Sequence, residues 1–363
     1  MPGDRHVCKV LSAPFPWFGG KSRAAGEVWA ALGDVANYVE PFGGSAAVML
    51  ARPHRARVET YNDADGLLVN FWRAIRADPE AVATAADWPV SEADLHARHY
   101  AIVVARADVS ARVCADPDWY DAKLAGWWVW GACCWIGSGW ASGAGPWWSD
   151  GEQLIKGNAG QGIHRQLPHV GNAGQGIHRQ LPHVGDAGRG IHRQLPHVGN
   201  AGRGIHRQLP HVGDAGRGAA ILVWFSEIAA RLERVRITCG DWARVTTPSV
   251  CERHGITGVL LDPPYPIGWD TRTAYAGQDG EAADICADVF KRSVELSDRG
   301  VRVVVCGYSG VWIPPDGWTE RPWSARKGYA ADGGARQRTE VLWCSPQCVP
   351  VAELGLFGGG SVR

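Results

Sequence analysis

The segment Leu260-Leu261-Asp262-Pro263-Pro264-Tyr265 sets an acid, two prolines and an aromatic at the end of an apolar run. Consecutive prolines cannot continue a β-ladder, so the chain must turn out at the carboxyl end of a strand, where ligands bind in open α/β sheets. A carboxylate and an aromatic ring are thereby held over a crevice. The Asp262 carboxylate and the Pro263 carbonyl can accept hydrogen bonds from an exocyclic amine, and Tyr265 can stack on a planar base. Standing alone, such a tetrad also serves as a plain turn, so its company in the chain decides its meaning.

Two further segments keep it company. Val39-Glu40-Pro41-Phe42-Gly43-Gly44-Ser45 ends a strand in a glycine turn, and Asp63 follows about 20 residues later, after the next strand. Glycine permits the close approach of a nucleotide-like ligand there, and the acid can take ribose hydroxyls. The sequence has no GxGxxG, which disfavours a dinucleotide. Pro16-Trp17-Phe18-Gly19-Gly20-Lys21 is an aromatic-Gly-Gly-Lys turn without the GxxxxGK[ST] spacing of a phosphate loop.

In this order the three segments resemble the Dam-like (alpha-group) class of DNA adenine N6-methyltransferases, over residues 14 to 77 and 222 to 345. The resemblance implies S-adenosylmethionine as cofactor, bound by Trp17, Lys21, Phe42, Gly43 and Ser45, with Asp63 on its ribose. Asp241, in Thr238-Cys239-Gly240-Asp241-Trp242, is carried over as a further cofactor-side residue. Asp262, Pro263, Pro264 and Tyr265 become the catalytic motif, with no metal and no covalent enzyme intermediate. Cys306 to Ser309 and Arg338 to Trp343 are similar to late family motifs by position, and both also read as ordinary sheet ends. The reaction implied is in-line methyl transfer to the N6 amine of an adenine flipped out of double-stranded DNA, a weak nucleophile whose protons Asp262 and the Pro263 carbonyl would hold. Cytosine N4-methylation is the neighbouring chemistry, although that class more often shows a Ser-Pro-Pro pattern. A DNA-binding relative that has lost turnover, and a methyltransferase acting on protein or RNA, are the readings from other classes.

The elements that must position these residues alternate. Tyr38 to Glu40, Val58 to Tyr61, Val235 to Cys239, Val259 to Leu261 and the buried run Val301 to Cys306 read as strands; Gly66 to Arg76, Ile221 to Leu232 and Ala282 to Leu296 read as helices. That pattern predicts an α/β protein with a Rossmann-like, doubly wound and mostly parallel sheet. The catalytic domain is assigned to residues 1–77 and 222–350, interrupted by an inserted target-recognition region at 78–221, with a flexible tail at 351–363. The insertion is Trp-rich around Trp127 to Trp148; Trp127, Trp128, Trp130, Trp135 and Trp140 can stack on bases or wedge between them, but buried packing suits most of them better.

Within it, the unit NAGQGIHRQLPHVG begins at Asn158 and recurs from Asn172, Asp186 and Asn200, so four 14-residue repeats fill 158–213. Their glycines and prolines and the lack of apolar periodicity predict loops and turns. From Asn158 to Gly218 there are seven Arg and no Lys against two acids, a local basic excess suited to a polyanion. Arg165, Arg179, Arg193 and Arg207 are candidate phosphate contacts, one per repeat. A tandem duplication tolerated in an exposed loop accounts equally well for the copy number.

Over the whole chain, 37 basic residues balance 37 acidic ones, which excludes a generally basic coat but not such a local patch. Arginines outnumber lysines 31 to 6, which suits phosphate and base contacts and equally follows from a GC-rich coding sequence. The 10 cysteines form no CxxC doublet and read as buried small apolar residues. No signal peptide opens the chain and no apolar run of about 18 residues occurs, so a cytoplasmic protein without a membrane span, and a monomer, is expected.

Overall fold

The computed structural model describes residues 10–17, 19–54, 57–135, 139–142, 147–149, 154–156, 218–264, 281–323 and 339–350. Tyr265, the four repeats and the 351–363 tail therefore lie outside the described residues. In chain order the elements begin with α1 (Ala25–Leu32), β1 (Asn37–Glu40), α2 (Ala47–Leu50), β2 (Val58–Asp63) and α3 (Gly66–Ala77). Three more helices follow, α4 (Pro79–Ala86), α5 (Glu92–Ala115) and α6 (Ala122–Cys134), and then a hairpin of β3 (Trp147–Ser149) and β4 (Leu154–Lys156). The alternation resumes with α7 (Gly218–Leu232), β5 (Val235–Cys239), a 3₁₀ turn at Trp242–Val245, α8 (Pro248–Cys251) and β6 (Thr257–Leu261). It ends with α9 (Glu281–Asp298), β7 (Arg302–Tyr308), β8 (Thr319–Trp323) and β9 (Glu340–Cys344).

Seven strands form one sheet in the order β5-β2-β1-β6-β7-β9-β8. The first five are mutually parallel, β9 runs antiparallel to β7, and β8 antiparallel to β9. The predicted doubly wound sheet is thus observed, with an antiparallel edge that the alternation alone did not specify. Chain order reverses between β1 and β6, so the crevice for a ligand falls beyond their carboxyl ends. Glu40 ends β1, and Asp262 is the first residue after β6.

The central strands are buried on both faces, as parallel strands covered by helices must be. One face packs Tyr38, Tyr61, Leu260, Val304, Cys306 and Leu342 into the larger core with the aromatic residues of α3, α6 and α7. The other face sets Val39, Val259, Leu261, Val303, Val305 and Trp343 against Val289 and Leu296 of α9. The helix starts carry their own side-chain caps: Asp65, Asp78, Ser91 and Asp121 accept from the backbone N–H of Leu67, Ala81, Asp94 and Leu124.

Of the insertion, α6 packs on α3 and α4, and α4 packs on α7, so these helices extend the larger core. Trp128 and Trp130 are buried, and Arg98 lies over the rings of Trp88, Trp127 and Trp130, which assigns most of this Trp-rich stretch to packing. The chain returning on α7 is tied to β2 by a buried ion cluster in which Glu59 receives Arg231 at 2.6 Å and Arg52 at 3.1 Å. Six described cysteines are buried as expected, whereas Cys114 is exposed on α5, a helix whose outer face meets solvent. Among the described residues no helix is long and apolar enough to cross a membrane.

Candidate functional site

At the carboxyl end of β1 the chain passes through Pro41, Phe42, Gly43 and Gly44 before entering α2. The glycines are dictated by packing. A side chain on Gly43 would run into the Tyr61 ring, whose edge lies 2.1 Å from where the Cβ would sit. Tyr61 cannot swing away freely, because its hydroxyl donates to the Gly44 carbonyl at 2.8 Å, and Trp72 Nε1 donates to the same oxygen at 3.1 Å. Gly44 has φ +48°, and its missing side chain leaves room for the Trp17 indole. Trp17 in turn meets Phe15 edge to face and inclines over Trp128, so it belongs partly to the core. Ser45 is buried within the same turn.

Asp63 closes this loop from β2. Its two carboxylate oxygens accept from Gly44 N–H and Asp65 N–H, both at 2.9 Å. Burial raises its pKa to about 6, against those backbone donors, which pull it down. Beside it, Asn62 bridges the ends of β1 and β5 by donating to the Pro41 and Gly240 carbonyls. Across the gap, Asp241 is exposed and accepts from Ala243 N–H, which starts the 3₁₀ turn. Trp242 is set there against Phe42, ring centroids 5.8 Å apart and 28° from parallel.

Toward β6 the chemistry changes. Lys21 is 5% exposed, and its ammonium meets Asp262 at 2.8 Å while donating to the Gly19 carbonyl at 2.7 Å. Burial works against that ammonium, but Asp262 with Cys306 and Glu340 overrides it and raises the Lys21 pKa. Pro263 is buried; Pro264 is half-buried, and its carbonyl accepts from the Cys286 thiol at 3.3 Å. The resemblance placed Lys21 with the cofactor-side residues; in the folded chain its ammonium lies on the acid of the Asp-Pro-Pro-Tyr segment.

Two acids that the sequence did not single out share this neighbourhood. Glu40, 4% exposed, accepts from the Tyr38 hydroxyl at 3.2 Å; burial raises its pKa to about 8, with Asp262 and Glu59 adding to the rise. Glu340, at the start of β9, is also shifted upward by burial, with Lys21 opposing. Glu40 was legible as the acid opening the Glu-Pro-Phe turn, whereas Glu340 needs the antiparallel β9 to bring it to Lys21.

Residues 17–98 match the family of D12 class N6 adenine-specific DNA methyltransferases. Over that stretch, 82 of the 363 residues, the chain is similar to adenine-specific DNA methyltransferases of that class. It covers Trp17 to Lys21, the Glu40 to Ser45 turn and Asp63, and stops well short of Asp262. No curated protein matches the sequence.

Proposed function

We propose that this chain is a D12 class methyltransferase that uses S-adenosylmethionine and methylates the N6 amine of an adenine flipped out of duplex DNA. The observation that carries the reading is the convergence of the Gly44–Asp63 loop and the Lys21–Asp262 pair on the carboxyl ends of β1, β2 and β6. The residues fit the cofactor chemically. Each Asp63 oxygen spends one lone pair on a backbone N–H and keeps another for a ribose hydroxyl. Phe42 and Trp242 offer flat apolar surface beside it, and Ser45 and Asp241 add polar atoms on either side.

When bound, S-adenosylmethionine supplies a sulfonium methyl electrophilic enough for direct attack by an amine. The protein's part is to sharpen that amine. Asp262 and the Pro263 carbonyl each accept one N6–H, which draws the nitrogen toward a tetrahedral shape and frees its lone pair from the ring. Lys21 acts through Asp262: gripped by the Gly19 carbonyl and the acid, it fixes where the carboxylate points. One N6 proton is released after the carbon–nitrogen bond forms. Pro264 stiffens the turn, and Tyr265 stacks on the extruded base. Residues 78–221 supply phosphate contacts and base readout to double-stranded DNA, with Arg165, Arg179, Arg193 and Arg207 as candidates.

The test is nucleoside mass spectrometry of DNA from a methylation-free host expressing the wild type or Asp262→Ala. N6-methyladenine is expected with the wild type and not with the variant. Undiminished N6-methyladenine from Asp262→Ala would remove the acid from the mechanism.

A further inference from the structure

The second face of the sheet is unevenly covered. Over β6, β7 and β9 it lies under α9, but over β2 and β5, among the described residues, it carries the 3₁₀ turn and the four-residue α8. A pocket of about 230 Å³ remains there, lined by Thr60 and Asn62 of β2, Arg236, Thr238 and Cys239 of β5, and by Arg244, Val245 and Val250. The inserted helices pack on the opposite face, so this pocket is not part of the surface they build.

Its polar groups leave donors unspent. The Arg236 and Arg244 guanidiniums at its rim are exposed and have neither an ion pair nor a side-chain hydrogen bond among the described residues, unlike the buried Arg52 and Arg73, which are committed to carbonyls or carboxylates. Thr60 is 2% exposed, and its hydroxyl has no hydrogen-bond partner, a cost that buried hydroxyls normally avoid. Asp241, the acid next along the chain from β5, already has its carboxylate on Ala243 N–H. Two exposed guanidiniums without a partner among the described residues, set around a buried unsatisfied hydroxyl in a cavity smaller than a drug-sized site, describe a receptor for a small anion.

We propose that this pocket binds a phosphate group, with Arg236 and Arg244 taking its charge and Thr60 donating to one of its oxygens. Arginine rather than lysine suits the task, because a guanidinium presents paired N–H donors to phosphate oxygens. The phosphate belongs either to a small molecule or to the DNA backbone. Nothing in this assignment depends on the identity of the methylated base.

The full chain is titrated calorimetrically with inorganic phosphate at constant ionic strength, alongside Arg244→Gln and Thr60→Val. We expect saturable binding by the wild type, weakened tenfold or more in Arg244→Gln and several-fold in Thr60→Val, with a Tm rise of about 2–4 °C in the wild type near saturation. Without phosphate, Thr60→Val should melt no lower than the wild type, since it removes an unpartnered group rather than a contact. No saturable binding, equal affinity in all three proteins, or displacement of phosphate by S-adenosylhomocysteine would overturn the proposal, the last by merging the pocket with the cofactor site. The source is read from duplex DNA binding over a salt series. A slope lower by about 1 in Arg244→Gln assigns the phosphate to the DNA backbone, and an unchanged slope to a small molecule.

Discussion

The two ends of the crevice are held in different ways. At the β1–β2 end, Gly43, Gly44, Asn62 and Asp63 are fixed by at least five hydrogen bonds to backbone atoms and by the Tyr61 ring pressed against Gly43. At the β6 end, the Asp262 carboxylate meets the Lys21 ammonium, which also donates to the Gly19 carbonyl. Under the proposed function, the loop that presents a rigid surface to the cofactor is built redundantly. The acid that would exchange its partner for a substrate amine is held by an ion pair that can be traded. Substitutions at the two ends should therefore fail differently, the first through fold and cofactor together, the second through turnover alone.

Asp262→Ala tests the contrast most strongly. Removing an acceptor at the reacting amine should lower kcat by about 10²–10³-fold, the range seen when one preorganised transition-state partner is deleted. Affinity for S-adenosylhomocysteine should stay within a few-fold of the wild type. A comparable loss of cofactor affinity would show that the two ends are not separable. Lys21→Met comes next: with the ammonium removed from Asp262, kcat should fall by about 10–100-fold while KM for DNA changes little. Rescue by Lys21→Arg, which keeps the charge on the acid, would sharpen the positioning role. A fall in cofactor affinity alone would return Lys21 to the cofactor side, where the sequence resemblance put it.

Gly43→Ala reads the other end. The new methyl must displace the Tyr61 ring from the Gly44 carbonyl, an overpacking cost of about 1–3 kcal/mol. Tm and cofactor affinity should drop together, by calorimetry on the same preparation. Retained affinity at a lowered Tm would mean that the cradle tolerates distortion and that its rigidity serves the fold only.

How much of this was visible in the amino-acid sequence follows from how local each cause is. Strands β5 and β6 and helix α3 were legible because apolar runs and turn residues mark them within a few residues. Gly43, Asp63 and Asp262 were legible because each sits at a strand end where its residue type has one principal use. The Lys21–Asp262 contact was not, since 241 residues separate the partners and only the β1–β6 pairing brings them together. Glu340 and the antiparallel β9 were hidden for the same reason. The Trp-rich helices were read as an insertion, but their fusion with the larger core depends on Arg98 and α4 meeting residues far along the chain.

The smallest expected effect separates the two ends by pH. Glu40 has its pKa raised to about 8 and Asp63 to about 6, in each case first by burial, so both acids hold a proton in the folded chain that the unfolded chain has lost. Folding stability from these groups is therefore complete below their unfolded values and declines as pH rises toward the folded ones. Between pH 6 and 8 Asp63 has largely finished titrating, and the remaining slope belongs to Glu40, with an upper limit of about 1.4 kcal/mol per pH unit for one proton. Glu40→Gln keeps an acceptor for the Tyr38 hydroxyl and removes the titration. Its Tm should decline less across that window than that of the wild type, by a few degrees, as differential scanning calorimetry would record. Parallel declines in both proteins would show that Glu40 is ionised in the folded state. The Lys21–Asp262 end would then face a second fixed negative charge from β1, and the looseness inferred for Asp262 would need a different cause.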